Sequence, residues 1–480
     1  MLAQYETPFE ANVLADSFAD AIRSQALFTV ARPIWVARAP GRLDVMGGNV
    51  DYTGGMVLQS LLLEAIWVAV QPRTDGVIRI LNPGAAQFGW TPYLEFNVVG
   101  LSDPESVRAF CRQTDGSHWA LYVLGAIYCL QQRFGCRLRG ADLFIASNLP
   151  PNKGVSSSAA LEVATLKAAA AAFGISLEGV VLATAAQWVE NTLVGAACGI
   201  MDQAVIVLGG ESNLLPLLCQ PCQPNAPIGL PPGISIWGID SMVPRSTTGI
   251  AYEASRAAAF MGYKLICQRE GVPILPESRA RISRFTDSRW NGYLSNLDPS
   301  EFRTRFEHRL PASLSGHEFL ATAGEHVDPF TRIDPEQEYP VRAAVRYATE
   351  ENARVQRFYT LLKNPTARTS ESWLRVAGEL LCQSHAAYTE CGLGSSVCDD
   401  LVSRALRAGF PGAKMTGGGA GGVVAVLGRS ENRPAFESLV WQFAAESGAV
   451  PHLFEGSSAG ADAFGVSTIK RQESPIRCAE

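Results

Sequence analysis

The residues of this chain that could do chemistry are concentrated in three glycine-rich segments. The first, residues 39–55, has the sequence APGRLDVMGGNVDYTGG and contains one arginine, two aspartates and five glycines. Arg42 can bind an anion, and Asp51 can accept hydrogen bonds from hydroxyl groups. The glycines let the backbone approach a ligand closely. The segment therefore predicts a site for a polyol next to a phosphate.

The second segment, residues 148–162, has the sequence NLPPNKGVSSSAALE and lies between a predicted strand and an alanine-rich run. Alanine is the strongest helix former, so Lys153, Gly154 and the serines at 156–158 are predicted to lie at a helix N-terminus. Free backbone N–H groups and the helix dipole make such a terminus an anion site. The alternative is a helix that is simply capped by a serine after a turn.

The third segment, residues 414–422, has the sequence KMTGGGAGG and precedes a strand-like run at residues 423–427. A dinucleotide-binding fingerprint needs a helix after its glycines, so the strand that follows excludes that fold. The glycines instead predict a turn whose backbone comes close to another loop or to a phosphate.

Together, and in this order, the three segments resemble the signature motifs of the GHMP small-molecule kinases. Residues 190–203, ENTLVGAACGIMDQ, resemble the galactokinase segment that carries a metal-binding glutamate and the catalytic aspartate. Residues 238–252 and 256–262 resemble the kinase part of L-arabinokinases. The resemblance covers roughly residues 30–470 and indicates the sugar-1-kinase branch of the superfamily.

The resemblance implies an α+β protein with the two-lobed GHMP kinase fold. Its N-terminal lobe is expected to be like ribosomal protein S5 domain 2, and its C-terminal lobe to be ferredoxin-like. Six prolines fall within residues 216–232, which predicts a linker between the lobes. We therefore expect lobes at residues 1–215 and 233–470. An insertion at about 270–345 and a polar tail at 471–480 complete the expected organisation.

Composition and charge exclude several other classes. The chain has 480 residues, 47% hydrophobic content and a net charge of −6, without a basic tract, so a nucleic-acid partner is not expected. The most apolar run, residues 56–70, is interrupted by Gln59, Ser60 and Glu64, and no membrane span is expected. Eleven scattered cysteines and no signal-peptide pattern favour reduced thiols and a cytoplasmic location.

For catalysis, the resemblance implies Asp202 as the base that deprotonates an anomeric sugar hydroxyl. Arg42 would lie against Asp202, keep its carboxylate ionised and balance charge on the transferred phosphoryl group. The alternative for this pair is a buried structural ion pair without a catalytic role.

ATP and Mg²⁺ are the implied co-substrate and cofactor. Glu190 and one serine, with Ser157 favoured, would bind the metal. Lys153 is expected either to reach a phosphate or to be solvent-exposed, and Trp119 either to pack on adenine or to belong to the core. The full set implied to bind ATP is Lys153, Gly154, Val155, Ser156, Ser157, Ser158, Trp119, Gly418 and Gly419.

The sugar is expected to contact Asp44, Gly48, Asn49, Asp51, Gly199 and Tyr252. Galactokinases carry Gly-Glu-His-Thr-Asp-Tyr where this chain has GGNVDY at residues 47–52. The aspartate that binds ring hydroxyls is retained as Asp51, whereas the residues that meet the outer CH₂OH become Gly48 and Asn49. A site without partners for a hydroxyl gains nothing from binding it, so a pentopyranose is favoured. Tyr252 could instead be only a partly buried tyrosine.

The sequence therefore favours an ATP- and Mg²⁺-dependent kinase that converts L-arabinose to β-L-arabinose 1-phosphate. The alternatives are a galactokinase or another sugar-1-kinase, and a non-catalytic sensor of sugar and ATP. Arg42, Glu190, Asp202 and the serine triplet disfavour the sensor.

Overall fold

The computed structural model describes residues 11–244, 249–279, 282–364 and 370–471. The tail expected at 471–480 lies outside these residues except for Arg471. The strands, in chain order, are β1 (Pro33–Met46), β2 (Met56–Pro72), β3 (Val77–Leu81), β4 (Tyr93–Asn97), β5 (Ala141–Ser147), β6 (Leu214–Leu218), β7 (Gln223–Pro224), β8 (Ile234–Asp240), β9 (Leu275–Arg279), β10 (Ile282–Thr286), β11 (Leu314–Ser315), β12 (Glu338–Tyr339), β13 (Gly412–Met415), β14 (Val423–Arg429), β15 (Leu453–Phe454) and β16 (Val466–Lys470).

The α-helices are α1 (Ala11–Ser24), α2 (Pro104–Gln113), α3 (Ala120–Phe134), α4 (Ser157–Ala172), α5 (Gly179–Val189), α6 (Met201–Leu208), α7 (Ile250–Arg269), α8 (Pro299–Glu301), α9 (Gly316–Ala323), α10 (Val341–Lys363), α11 (Glu371–Glu390), α12 (Ser396–Arg407), α13 (Arg433–Ser447) and α14 (Ala461–Phe464). A π-helical turn, Glu190–Val194, continues α5. Within the described residues, every helix is too short or too polar to span a bilayer.

A large sheet with the strand order β16-β1-β2-β5-β3-β4 forms one half of the molecule. The first residues of β2 also pair with β6, which in turn pairs with β7. Neighbouring strands are antiparallel except for β3 and β5, which are parallel. The long hairpin of β1 and β2 is the centre of this sheet. The first glycine-rich segment begins in β1 and ends in the hairpin turn at residues 47–55.

Two irregularities in β1 orient the polar side chains near this turn. The pairing of β1 with β2 shifts between Pro40 and Arg42 and again between Asp44 and Met46. A β-bulge bends the strand locally and re-aims side chains, and bulges are common beside active sites. At Gly41, an added Cβ would lie 2.5 Å from the Leu149 side chain and 3.0 Å from the Val155 carbonyl oxygen, so the first irregularity is closely packed. Arg42 and Asp44 are therefore the residues that these irregularities position.

Helix α4 packs directly on β1 and β2 and is surrounded by α3, α5 and α6. Residues 159–170 are all buried. A helix that is apolar on every side is a core helix, which explains the alanine-rich sequence. The first residue of this core helix, Ser157, belongs to the second glycine-rich segment. The sheet and its helices thus fix the position of the serine turn.

A second, antiparallel sheet has the order β13-β14-β8-β15. Strand β14 is buried from Val423 to Gly428, and helices α11 and α12 pack against β13. The third glycine-rich segment connects β13 to β14. The two sheets therefore present their glycine-rich segments to one another.

The chain path differs from the expected lobe boundaries at two places. The expected linker, 216–232, contains the end of β6 and all of β7, with Pro216 opposite Leu58 of β2. Proline is compatible with a strand at the margin of a sheet, where its missing N–H is not needed. Strand β16, in the expected second lobe, returns to the large sheet and pairs with β1.

The expected insertion at about 270–345 contains short helices and two antiparallel strand pairs, β9 with β10 and β11 with β12. Its large apolar side chains, including Trp290, Phe302 and Phe319, form a separate core with α7 and α10. The polar, aperiodic sequence of this region gave no signal for that core.

A buried ion pair connects the two sheets. Lys414 of β13 lies 2.8 Å from Asp44 of β1, and both side chains are 0% exposed. The other oxygen of Asp44 accepts a hydrogen bond from Gln59 at 2.6 Å. Because both charges are removed from water, each depends on the other for compensation.

Replacing Lys414 with Met should therefore destabilise the protein by about 3–5 kcal/mol, because it leaves the Asp44 carboxylate buried without its counter-charge. Equilibrium unfolding in urea measures the change. The control is Arg375→Met, which removes an exposed pair with Glu379 and should cost less than about 1 kcal/mol. The double variant Asp44→Leu/Lys414→Met should recover much of the loss. A Lys414→Met variant as stable as the control would contradict this role.

Candidate active site

A cavity of about 350 Å³ opens beside the serine turn. Its apolar end is formed by Ile66, Trp90 and Trp119, and its polar end by the serines at 156–158 and by Asp202. The lining combines aromatic side chains with serine hydroxyls and one carboxylate, which suits a nucleotide base joined to phosphates.

The polar end of the cavity is the N-terminus of α4. Ser156 has a φ of 62° and Gly154 a φ of 73°, so the chain makes a sharp turn directly before the helix. The first N–H groups of a helix have no intrahelical partner, and the helix dipole is positive there. All three serines line the cavity, and their role in binding phosphate stays a prediction.

Trp119 lies at the apolar end. Its ring is buried, and its Nε1 donates a hydrogen bond to the Thr91 carbonyl at 3.2 Å, which fixes the orientation of the ring. Trp90 lines the same end and makes an edge contact with His118 at 4.7 Å. Trp119 is thus a core residue with one side on the cavity, and Trp90 is a second aromatic wall that the sequence did not single out.

Asp202 lies at the polar end of the cavity and is held by Arg42. The Arg42 Nε and Nη2 lie 2.9 and 2.8 Å from the same Asp202 oxygen, Oδ1. The Ser156 hydroxyl donates to the other oxygen. The Arg42 side chain is 0% exposed, whereas that of Asp202 is 18% exposed and lines the cavity. The pair is therefore not sealed in the core, because its carboxylate can be reached from the cavity.

Arg42 also connects the carboxylate to the serine turn. Its Nη1 donates to the Gly154 carbonyl at 2.6 Å, and its backbone N–H donates to the Val155 carbonyl at 3.1 Å. Val155 is buried and contributes only this backbone contact to the site. One guanidinium therefore sets the position of the turn and of Asp202 together.

Asp51 lies next to Asp202 on the side of the β1–β2 turn. Burial raises the pKa of Asp51 to about 6, and the negative charge of Asp202 adds to the shift. The Met201 N–H donates to Asp51 at 3.4 Å. A Cβ on Gly199 would lie 1.9 Å from an Asp51 oxygen, so only glycine allows this approach. The structure thus brings Asp51, Gly199 and Asp202 close together.

A buried arginine that the sequence did not single out compensates the charges here. Arg256 forms two 2.8 Å hydrogen bonds with Asp328 and donates to the Ala197 carbonyl at 2.7 Å. Its guanidinium lies 4.9 Å from the ring centre of Tyr52. Burial lowers the pKa of Arg256, but Asp328 outweighs burial and the net shift is upward. The charge of Arg256 also counteracts part of the upward shift at Asp51.

Tyr252 lies close to Tyr52 and Asp51. Its ring is nearly buried and meets Tyr52 edge-on at 6.0 Å. Burial raises the pKa of Tyr252 well above its usual value, and the nearby Asp51 carboxylate adds to the shift. Tyr252 is therefore beside Asp51, although it comes from α7 and is far away in sequence.

Gly48 and Asn49 face the third glycine-rich segment. Asn49 has a φ of 61°, and its Nδ2 donates to the Gly418 carbonyl at 3.1 Å. Its buried Oδ1 has no hydrogen-bond partner within the part of the chain that the structure describes. Asn49 thus keeps one acceptor for a ligand.

Asp44 differs from its expected sugar-binding role. Its oxygens are occupied by Lys414 and Gln59 and by the Gly417 N–H at 3.2 Å, and its side chain is fully buried. The structure gives Asp44 a position that holds the two sheets together. Lys414 is part of the third glycine-rich segment, and its charge was the sequence signal that could have predicted a partner for Asp44.

Four residues expected to bind ATP, which are Lys153, Val155, Gly418 and Gly419, are not among the described residues that line the cavity. Lys153 pairs with Asp240 at 2.7 Å and is neither free in solvent nor directed at the cavity. The loop that contains Gly418 and Gly419 packs against residues 153–154, since a Cβ on Gly422 would lie 2.6 Å from the Lys153 carbonyl. The third segment therefore approaches another loop, which was one of its two expected roles.

Two buried carboxylates lie behind the serine turn. Gln203 donates to Glu190 at 2.7 Å and to Glu162 at 3.4 Å. Burial raises the pKa of Glu162 well above its usual value, and Glu190 adds to the shift. Both charges also act on Tyr122, which lines the cavity. In the sequence, Glu162 is a carboxylate within an alanine-rich helix, and this pattern was the signal that it would be buried.

These residues fit a magnesium ion. Glu190 and the Ser157 hydroxyl could provide oxygen ligands, which Mg²⁺ prefers, and Mg²⁺ needs only one or two carboxylates beside phosphates and water. One oxygen of Glu162 is buried without a hydrogen-bond partner among the described residues. A cation nearby would compensate this concentration of negative charge.

Sequence comparisons match the same regions. The family model described as the GHMP kinases N terminal domain matches residues 121–210, and that described as the galactokinase galactose-binding signature matches residues 25–72. An L-arabinokinase from Arabidopsis thaliana is 36% identical over 93% of this chain, which spans about half, 48%, of that relative. A galactokinase from Chloroflexus aggregans is 31% identical, and the match covers 84% of this chain and 86% of the relative.

Structure comparisons confirm the two-lobed α+β fold. The Lactococcus lactis galactokinase complexed with galactose aligns with a TM-score of 0.72 at 21% identity, covering 95% of this chain and 99% of the other. The mevalonate kinase of Methanococcus jannaschii aligns with a TM-score of 0.53 at 14% identity, covering 88% and 98%. The chain therefore belongs to the GHMP kinase superfamily and, within it, to the galactokinase-like branch.

Proposed function

We propose that this protein transfers the γ-phosphoryl group of ATP to the anomeric hydroxyl of a monosaccharide. The favoured reaction converts L-arabinose to β-L-arabinose 1-phosphate. The observation that carries the proposal is the position of Asp202, which lines the cavity and also lies beside Asp51.

In this proposal, Asp202 is the general base. A sugar hydroxyl is a weak nucleophile and must lose its proton as the new bond forms. The Asp202 carboxylate is accessible from the cavity and is oriented by Arg42 on one oxygen and by Ser156 on the other. The guanidinium of Arg42 would balance the negative charge that develops on the transferred phosphoryl group. Phosphoryl transfer needs mainly such positioning and charge.

The cavity residues are proposed to hold ATP. The adenine would lie in the slot formed by Trp90 and Trp119, and the phosphates at the N-terminus of α4. Ser157 and Glu190 would hold Mg²⁺, which when bound neutralises negative charge on the phosphates. Glu162 would support the metal site through Gln203, which it shares with Glu190.

The sugar is proposed to bind between Asp51 and Asp202. Asp51 would accept hydrogen bonds from ring hydroxyls, with Tyr252 and Gly199 completing the pocket. The 36% identity to an L-arabinokinase supports L-arabinose. D-Galactose is the second candidate, because the galactose-binding signature matches residues 25–72. A cytoplasmic location stays a prediction.

The test is the release of ADP from MgATP with a panel of pentoses, hexoses and uronic acids. We expect turnover to be fastest with L-arabinose. Replacing Asp202 with Asn should lower kcat by roughly 10²–10⁴-fold, since a general base contributes about that factor. Asp20→Asn, which changes an exposed aspartate of α1, is the matched control and should retain activity. Binding of sugar and ATP without turnover of any sugar would support a sensor and contradict the proposal.

Sugar binding should depend on pH through Asp51. Its pKa is raised to about 6, so the carboxylate gains a proton as the pH falls through that value and can no longer accept as many hydroxyl hydrogen bonds. We expect the affinity for the sugar to be constant above about pH 7 and to fall below about pH 6. Calorimetric titration of the folded protein at several pH values measures this.

The same titration of Asp202→Asn provides the control for this assignment. Removing the negative charge of Asp202 takes away one cause of the raised pKa, so the transition should move to lower pH. An affinity that is equal at pH 5 and pH 8 in the folded wild type would show that Asp51 does not bind the sugar as a carboxylate.

A further inference from the structure

The space above Gly48 is filled by a tyrosine from the other half of the molecule. A Cβ on Gly48 would lie 2.1 Å from the Tyr388 hydroxyl, 2.6 Å from an Asp44 oxygen and 2.6 Å from the Gly417 carbonyl oxygen. Gly48 does not have a positive φ, unlike Gly47 before it and Asn49 after it. Glycine is therefore required at this position by contact and not by backbone conformation.

Tyr388 is held in this position from several sides. It lies on α11, is fully buried, and its hydroxyl donates to the Gly417 carbonyl at 2.5 Å. Its ring stacks on Tyr347 at 5.4 Å, and Lys414 lies 5.6 Å from the ring centre. With these contacts, the hydroxyl of Tyr388 is a fixed part of the wall next to Gly48.

This wall belongs to the sugar side of the site. Gly417, which accepts the hydrogen bond from Tyr388, is also a neighbour of Arg42, since its Cβ would lie 3.4 Å from the Arg42 Nη2. Gly48 and Asn49 begin the turn that carries Asp51. Gly417 therefore lies between the Tyr388 hydroxyl and Arg42. The hydroxyl packs against the turn that is proposed to bind the sugar.

The position of Tyr388 changes the interpretation of Gly48. From the sequence alone, glycine at position 48 means the loss of a hydrogen-bonding side chain. The structure has no vacant space there, because the hydroxyl of Tyr388 takes the place that a side chain at position 48 would need. A sugar substituent directed at this wall would meet both a steric barrier and a hydroxyl whose proton is donated to Gly417.

We propose that Tyr388 determines the sugar specificity of this protein by closing the pocket beside Gly48. The closed pocket accepts a pentopyranose and excludes the exocyclic CH₂OH of a hexopyranose. This inference rests on the proposed sugar-kinase function and identifies the residue that selects the substrate class.

The test compares kcat/KM for L-arabinose with kcat/KM for D-galactose in the wild type and in Tyr388→Met. Methionine is flexible and unbranched, so it can leave the space beside Gly48 open. Contacts of one hydroxymethyl or methylene group change specificity by about tenfold or more, so the arabinose-to-galactose ratio should fall by at least that factor. Tyr388→Phe, which removes only the oxygen, should lower the ratio less.

Tyr347→Phe is the matched control. The Tyr347 hydroxyl donates to the Gly48 carbonyl at 2.5 Å, on the backbone side of the same residue, and its ring is the stacking partner of Tyr388. Loss of that hydroxyl can lower both rates but should leave their ratio unchanged, because it does not open the space beside Gly48.

A thermal measurement tests the contact without any substrate. Gly48→Ala should lower Tm in the wild-type background more than in the Tyr388→Met background, because the added methyl collides with the tyrosine hydroxyl only in the former. Equal losses of Tm in both backgrounds would contradict the close contact.

The inference is overturned if folded Tyr388→Met keeps the wild-type ratio, or if the wild type itself prefers D-galactose. The latter result would leave the kinase function intact. Failure of the kinase function is distinguished by the absence of turnover in the wild type with every sugar. In that case, calorimetry would measure the dissociation constants of the two sugars. The same ratio in the wild type and in Tyr388→Met would overturn the role of Tyr388.

Discussion

The ion pair of Arg42 with Asp202 is the interaction on which the rest of the site depends. Arg42 has no contact with solvent, yet it holds Asp202, which is the acidic side chain among the described residues that line the cavity. The same guanidinium binds the Gly154 carbonyl before α4. If Arg42 moved, the carboxylate and the phosphate-binding turn would lose their common support. The irregular pairing in β1 and Gly41 lie directly before Arg42 in the chain.

Several charged side chains are buried close to this pair. Each buried charge that the structure describes near the turn has an opposite charge or a polar partner. Lys414 compensates Asp44, Asp328 compensates Arg256, and Asp240 pairs with Lys153. Asp51 accepts a hydrogen bond from the Met201 N–H, but this bond and the charge of Arg256 offset its raised pKa only in part. A buried carboxylate with incomplete compensation is a group that can still gain from binding a ligand.

The sequence was sufficient to predict the helix that begins at the serine turn and the strand that follows the third glycine-rich segment, because each depends on local patterns. It was not sufficient for contacts between distant segments. Lys153 and Asp44 were assigned to ligands because their partners, Asp240 and Lys414, are remote in sequence. Glu162 and Tyr388 were missed for the same reason. The return of β16 to β1 and the strands in the proline-rich region also depend on tertiary pairing, which overrides local preference.

The central claim is that Arg42 orients Asp202 for catalysis and is more than a structural cation. Replacing Arg42 with Lys tests it most directly, because lysine keeps the charge but cannot contact both Asp202 and the Gly154 carbonyl with a planar fork. The measurement is kcat together with the dissociation constants of sugar and ATP. The account predicts that kcat falls by about tenfold or more while the variant stays folded and still binds both ligands. A folded Arg42→Lys variant with wild-type kcat would contradict the account.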